Sequence, residues 1–290
     1  MTPLQPAPLG PPRGVLRPGL NPGAFQHQRQ RPAPALAGLI EHYWHVGWDL
    51  RGQPAQAQAT LPHPNVHLVL EQGQALIYGV QQGRFVRQLA GRDQVFGIKF
   101  TPGGFYPFYQ RPLATLLDQR VAVAACLGPA GTELAAQLLA ATGFEARCRV
   151  ADAFWQQHLP AADPQVAHIN RLLAHIAQAS QLVAVVDVLA ISGLNLRGLQ
   201  RLFHQYVGIG PKWVIQRYRL HEAIAQVQAG KTLSWSALAL DLGYFDQAHF
   251  GRDFRQLVGM SPGDYEKSLR DGAPDNGAAF SKNIKPKPAV

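Results

Sequence analysis

In the stretch LGYFDQAHFGRDFRQLVGMSP, residues 242–262, Asp246 and His249 stand three residues apart. On a helix that spacing brings a carboxylate and an imidazole to one face. Such a pair suits acid/base work or two ligands of a metal ion. The same residues also fit a purely structural role, an aspartate capping a helix and a histidine exposed on it. A metal would need a third ligand, and the neighbouring sequence offers none. His63 and His67 in PHPNVHLVL, with His42 and His45 upstream, form a second candidate cluster. They lack the close His-x-His, carboxylate and later His of metal-binding cupins, so structural or surface histidines are the simpler reading. Cys126, in VAAC, is either a reactive thiol or a buried, inert residue of an Ala-rich helix. No cofactor is expected.

The chain must therefore be read for the elements that carry these residues. At 290 residues it is long enough for two domains with their own cores. Its 47% apolar and 16% charged residues are those of a globular protein. A net charge of +9 and a pI near 9.8 point to a polyanionic partner, nucleic acid first. Two cysteines are too few for a disulfide framework or a four-ligand zinc site, which fits a reducing cytoplasm. No apolar run of membrane-spanning length is expected, hence no membrane. The N-terminal MTPLQPAPLGPPRGVLRPGLNPG is broken by prolines and lacks the apolar core of a signal peptide. Residues 1–34 read as a disordered leader and residues 271–290 as a flexible tail.

Short β-rich stretches follow the leader: HYWHVGWDL (42–50), NVHLVLEQG (65–73), ALIYGV (75–80), RFVRQLA (84–90) and QVFGIKFTPGG (94–104). They predict a small antiparallel sheet or barrel. Trp44, Trp48, Tyr78, Phe100 and Phe105 either line a small-molecule pocket in it or form its core. From about residue 112 the apolar period becomes helical, and Pro160 with Pro164 marks a domain boundary near 160–165. Beyond it everything reads as helix.

Sliding the sequence by 51 residues lays NLRGLQRLFHQYVGIGP (195–211) over DQAHFGRDFRQLVGMSP (246–262). Arg201, Phe203, Gln205, Val207, Gly208 and Pro211 meet identical residues. Leu199, Phe203, Tyr206 and Val207 in one copy, and Phe250, Phe254, Leu257 and Val258 in the other, make one apolar helical face. Asn195 and Asp246 are the expected caps, and Gly208 and Gly259 the expected stops. A shorter amphipathic stretch and a glycine-bearing turn precede each copy, so each reads as a helix-turn-helix. Opposite the apolar face lie Arg197, Arg201 and His204, then Ala248, Arg252 and Arg255. His249 flanks this exposed face; Gln200 and Gln247 lie nearer the apolar edge, Gln247 in the first turn. Arginine and glutamine make bidentate contacts to base edges. Between the copies, residues 211–229 form a helix of roughly 28 Å. Trp213, Leu220, Ile224 and Val227 fall on one of its faces. That length would hold two reading helices about one turn of DNA, roughly 34 Å, apart.

Residues 166–268, above all LALDLGYFDQAHFGRDFRQLVGMSPGDY, resemble the AraC/XylS family of bacterial transcription regulators. The first copy departs from the second by a turn that is one residue shorter between Ala190 and Gly193 than between Ala239 and Gly243. Gly198 is also a poor helix former. The resemblance implies base reading by Arg197, Gln200 and Arg201 in the first unit and by Gln247, His249 and Arg252 in the second. It implies cores built on Leu199, Phe203, Val207, Phe250, Phe254 and Val258. HYWHVGWDL, PHPNVHLVLEQG and VFGIKFTPGGFYPFY are similar to the β-rich domain of some members. The expected fold is α+β: a β-rich, small-barrel or cupin-like domain with flanking helices at 35–160, then an all-α domain at 165–270. The latter holds one helix-turn-helix at about 182–207, a linker helix at 211–229 and a second unit at about 233–258. The implied function is regulation of transcription, chiefly activation, with double-stranded DNA and RNA polymerase as partners and an unidentified small-molecule effector. Two alternatives stand beside it: a metal- or thiol-based enzyme tethered to DNA, and a non-specific nucleoid-binding protein.

Overall fold

The computed structural model describes residues 24–270, apart from 180, 183 and 232, together with Leu9 and Leu16. The tail 271–290 and most of the leader expected at 1–34 lie outside the described residues. The leader's end does not: Phe25–Gln30 forms strand β1, and Pro34–Leu36 a 3-10 turn that buries Leu36. The polar FQHQRQ carries no strand signal, yet its backbone pairs along β2 from Phe25↔Trp48 to Gln30↔Tyr43.

The remaining strands are β2 (Ile40–Leu50), β3 (Gln56–Thr60), β4 (His67–Glu71), β5 (Gln74–Tyr78), β6 (Phe85–Leu89), β7 (Gly91–Phe100) and β8 (Arg120–Ala122). One open antiparallel sheet has the order β1-β2-β7-β4-β5-β8, and β3 pairs with β6 in a separate ribbon. Alternation assigns the side chains to two faces. Leu68, Leu70, Ile77, Phe96, Ile98 and Phe100 pack with the helices that follow; Val69, Tyr78 and Val95 point the other way, with Trp48 and Leu89. Phe100 and Phe105 therefore belong to the main core, 4.9 Å apart, with Trp155 5.2 Å from Phe100. Of the two readings open for them, their packing matches the core, and neither is in the wall of the cavity described below.

Three helices complete this domain: α1 (Tyr106–Tyr109), α2 (Val123–Ala140) and α3 (Phe144–Gln157). The stretch from 112 was expected to be helical throughout, but Leu113–Leu116 is a 3-10 turn and β8 precedes α2. Helix α2 is kinked at Gly128, whose φ of 62° is non-helical, just before Pro129. By length and composition Val123–Ala140 could cross a bilayer, where no apolar run of that length was expected. Here α2 packs on β5 and α3 and buries Leu134 and Leu138 in the domain core.

After Pro160 come α4 (Pro164–Gln178), α5 (Val185–Ser192), α6 (Leu196–Tyr206), α7 (Pro211–Gln228), α8 (Trp235–Asp241), α9 (Gln247–Val258) and α10 (Pro262–Arg270). Helices α4 to α6 and the first half of α7 share one core, which also takes in Val80 of the β domain. The second half of α7 shares another with α8 to α10, joined by Leu16, Ala59 and Leu61. The spacing of Trp213, Leu220, Ile224 and Val227 predicts one apolar face for α7. Instead it is buried nearly all round, and its interior positions include Arg217, Arg219 and His221. Its amphipathic pattern is weak because it is the shared wall of two cores and of the β domain.

Candidate nucleic-acid interface

Each of the helix pairs α5–α6 and α8–α9 turns at a glycine in the left-handed region, Gly193 at φ 68° or Gly243 at φ 72°. The second helix of each is capped by a side chain. Asn195 Oδ1 accepts the Gly198 backbone N–H at 2.8 Å, and Asp246 Oδ1 accepts that of His249 at 2.6 Å. Asp246 thus meets the main chain of His249 rather than its ring. The ring lies edge-on to Tyr244 at 5.2 Å, and its Nε2 is 3.9 Å from the Asp253 carboxylate. Ser234 caps α8 in the same way, through the Ala237 N–H at 3.3 Å.

Inward, Leu199, Phe203 and Val207, then Phe250, Phe254 and Val258, are all buried. Phe254 sits within 5.2 Å of Trp235, 5.7 Å of Phe250 and 6.0 Å of Tyr265, centroid to centroid. Outward, Arg197, Gln200, Arg201 and His204 of α6 are exposed, as are Gln247, Ala248, His249, Arg252 and Arg255 of α9. Each unit thus sets cations and amides around the free side of a capped helix, a surface suited to phosphates and base edges. The turns differ by more than the sequence indicated. Residues 193–195 separate α5 from α6, whereas 242–246 separate α8 from α9. The second turn is therefore two residues longer.

A cavity of about 1330 Å³ lies between the second face of the main sheet and the β3–β6 ribbon. Trp44, Trp48 and Tyr78 line it. Trp44 stands opposite Gly97 in the β2–β7 register, and its indole lies against that glycine; a Cβ there would sit 2.1 Å from the ring. Among the described residues, the Trp44 Nε1 has no acceptor. Most of the charges in the wall are paired. Arg87 meets the Glu71 carboxylate, which also accepts the Tyr78 hydroxyl, and the Arg87 guanidinium stacks over Trp48 at 5.5 Å. Lys99 holds Glu41 at 2.9 Å. Burial alone would raise the Glu41 pKa, but the His42 hydrogen bond and the Lys99 charge bring it down to about 2. Burial, helped by Lys99, pushes the His67 imidazole down to about 3, so it is neutral at physiological pH. These pairs join residues far apart in sequence, and their sequence signal was only a charge in each of several strands.

The four upstream histidines do not converge. His63 stacks on His221 of α7 at 4.0 Å, His67 is edge-on to Trp44 at 6.2 Å, His42 Nδ1 is 3.3 Å from Glu41, and His45 packs on Phe144. Among the described residues no group of three or more His, Cys, Asp or Glu gathers at metal-binding distance. Burial raises the Cys126 thiol to about 11 and that of Cys148 to about 12, which keeps both protonated near neutrality.

The cavity also reaches the helical domain. Val166 and Leu173 of α4 line it while packing in the core of the first helix pair, and Tyr218 of α7 closes the same side. Asn170 of α4 donates to the Gly38 carbonyl at 3.0 Å and to Thr101 Oγ1 at 3.1 Å. Arg217 stacks on Trp213 at 4.4 Å and donates to the Gln82 carbonyl at 2.7 Å. His221 Nε2 is 3.2 Å from the Pro62 carbonyl oxygen.

Residues 28–122, from β1 to β8, match the model of a "Domain of unknown function (DUF6597)", and residues 189–268 match that of a "Helix-turn-helix domain". An uncharacterized HTH-type transcriptional regulator of Haemophilus influenzae is 29% identical over 106 residues, 36% of this chain and 35% of that protein. The HTH-type transcriptional activator RhaS of Escherichia fergusonii is 32% identical over 110 residues, 37% of each. The chain thus spans about a third of the length of these curated relatives. Among solved structures, ToxT from Vibrio cholerae aligns over 84% of this chain and 98% of its own, at 10% identity and a TM-score of 0.37. The C-terminal part of this chain, α5 to α10, is an AraC-type helix-turn-helix domain.

Proposed function

We propose that the chain is a sequence-specific DNA-binding regulator of transcription in which α6 and α9 enter two successive major-groove segments. One observation carries this reading. Two helix pairs of the same design each expose arginines opposite a buried apolar face, on a helix whose N-terminus is fixed by a side-chain cap. Arg197, Gln200 and Arg201 would read one segment, and Gln247, His249 and Arg252 the other. Ala248 would offer an apolar contact. In this reading residues 165–270 bind DNA, and residues 35–160 sense a small organic effector or bring copies of the chain together. The cavity suits the first role, because its wall includes α4 and α7, the helices on which the DNA-binding cores are built. Activation is the mode that the name of the Escherichia fergusonii relative supports; RNA polymerase as its partner and the cytoplasm as its place belong to the same proposal.

Selection from a randomised duplex pool, followed by affinity measurement on the enriched site, tests the proposal. Arg252→Ala should cost roughly 1–3 kcal/mol on that site and relax preference at one base pair. An equal loss on enriched and random DNA would remove the base-reading role. A pool that enriches nothing, with a steep salt slope, would replace specific reading by charge-driven binding.

A further inference from the structure

We propose that Phe245 is a specificity-determining residue whose ring packs on the 5-methyl group of a thymine at the edge of the segment read by α9. The inference rests on the reading of α9 as a groove-entering helix, and adds a contact that neither the repeat nor the charged face implies. Phe245 is 92% exposed, the most exposed large apolar side chain among the described residues. Its position follows from the unequal turns. Residues 242–246 make a five-residue connection, where the first unit needs only 193–195. Within it, Tyr244 turns inward and packs edge-on against Phe250 at 5.3 Å and His249 at 5.2 Å. The next residue is thereby directed to solvent, and the following one, Asp246, locks the backbone to the helix through the His249 N–H at 2.6 Å. Phe245 is thus held beside the tip of α9 and does not swing on a loose loop.

The surroundings indicate which occupant would cover the ring. The exposed residues that follow it are the capping Asp246, then Gln247, Ala248 and His249 in the first turn, with Arg252 and Arg255 further along α9; before it, Leu240 and Asp241 of α8 are exposed as well. A protein partner would cover the ring with an apolar patch, which the exposed Gln247, His249, Arg252 and Arg255 of α9 do not match. A DNA groove instead presents anionic edges and an isolated apolar group, the thymine methyl, which is the one apolar mark on its major-groove floor. An apolar ring at the start of a helix whose exposed side carries Arg252 and Arg255 matches that pattern.

Full-length protein and the duplex enriched from a randomised pool provide the test. Each thymine of the enriched site is replaced in turn by deoxyuridine, which removes the methyl and keeps every hydrogen-bonding group. For the wild type, one replacement should weaken binding about fourfold, the value of one buried methyl-sized group. Phe245→Ala should bind the unmodified site more weakly by a similar factor and should not respond to that replacement. Phe245→Leu should keep part of the response. Phe245 is 92% exposed, so all three proteins should melt alike. Independent, additive losses from the variant and the deoxyuridine would overturn the contact. So would an unchanged deoxyuridine profile, including one accompanied by lost transcription in a purified system, which would assign the ring to polymerase. Failure of the pool to enrich any sequence would overturn the DNA-reading function itself, and this contact with it.

Discussion

Replacing Phe254 by alanine tests whether the second helix pair is built as its packing indicates. The side chain is 1% exposed and borders Trp235, Phe250 and Tyr265 at centroid distances of 5.2, 5.7 and 6.0 Å. Buried Phe→Ala changes cost about 3–5 kcal/mol, from lost transfer energy and the cavity left behind. Three aromatic neighbours cannot collapse into that space without leaving their own contacts, so the cost should fall near the upper end, about 4 kcal/mol. Local opening of α8 to α10 should then be roughly a thousandfold more frequent. Hydrogen exchange followed peptide by peptide measures this directly, with β2 and β7 as the internal reference in the same molecule. Protection should fall across α8, α9 and α10 while the sheet keeps its protection. Phe254→Leu, which retains most of the volume, should cost only about 1–2 kcal/mol. If Phe254→Ala exchanges like the wild type in all three helices, the aromatic cluster does not hold the unit together and the core assignment is wrong.

Asp246→Ala should destabilise α9 by about 1 kcal/mol through loss of its cap, while Asp246→Asn, which keeps the accepting oxygen, should behave as the wild type. A thermal melt separates these outcomes, and an Asn variant as unstable as the Ala variant would restore a charge-dependent role for the aspartate. Gly97→Ala places a Cβ 2.1 Å from the Trp44 ring, so the indole must leave the cavity wall. A shift in tryptophan emission with a loss of about 1–3 kcal/mol is expected, and unchanged emission and stability would refute that contact. Glu41 has its pKa lowered from 4.5 to about 2. Its contribution is therefore fully present above about pH 4.5 and is lost as the pH falls toward 2, tempered by the 40% exposure of its side chain. Glu41→Gln should flatten the stability profile in that window, and identical acid limbs would show that the Lys99 pair contributes nothing.

The helical half was legible because its signals are local. Caps, stops and the apolar stripe all fall within one or two turns, and the repeat displayed them twice. Asn195 and Asp246 could be recognised as caps without any tertiary contact. The β half depends on pairing across distance, and there the reading thinned. FQHQRQ and QAQAT become β1 and β3 through the backbones they pair with, β2 and β6, and their own residue types give no warning. Parity decides which aromatics reach the cavity. Trp44 faces it because its register partner is Gly97, whereas Phe100 follows Phe96 and Ile98 into the opposite core. Register is a property of the folded sheet, so the sequence offered Trp44 and Phe100 as equals. The charge pairs of the cavity fall in the same class, because Glu41 and Lys99 meet only through the pairing of β2 with β7.

The helix between the two units shows what such long-range contacts do to function. An exposed linker helix would let each unit move with its own stretch of DNA. Here α7 buries Val214, Ile215, Leu220, Ile224 and Val227 in two different cores, so bending it would open both. Its polar residues add a second constraint. The Arg217 guanidinium, brought down to about 10 by burial, gives one N–H to the Gln82 carbonyl, and Arg219 reaches the Ile176 carbonyl and Glu222. Pulling the β domain away from Arg217 without rehydrating it would strand a buried cation, which costs far more than a surface contact returns. The separation of α6 and α9 is therefore set by the whole body of the protein, not by the two units alone. Val166 and Leu173 of α4 line the cavity and also pack in the core of the first helix pair, and Tyr218 belongs to α7, so a change in the cavity that displaces them bears on the helices against which α6 is packed.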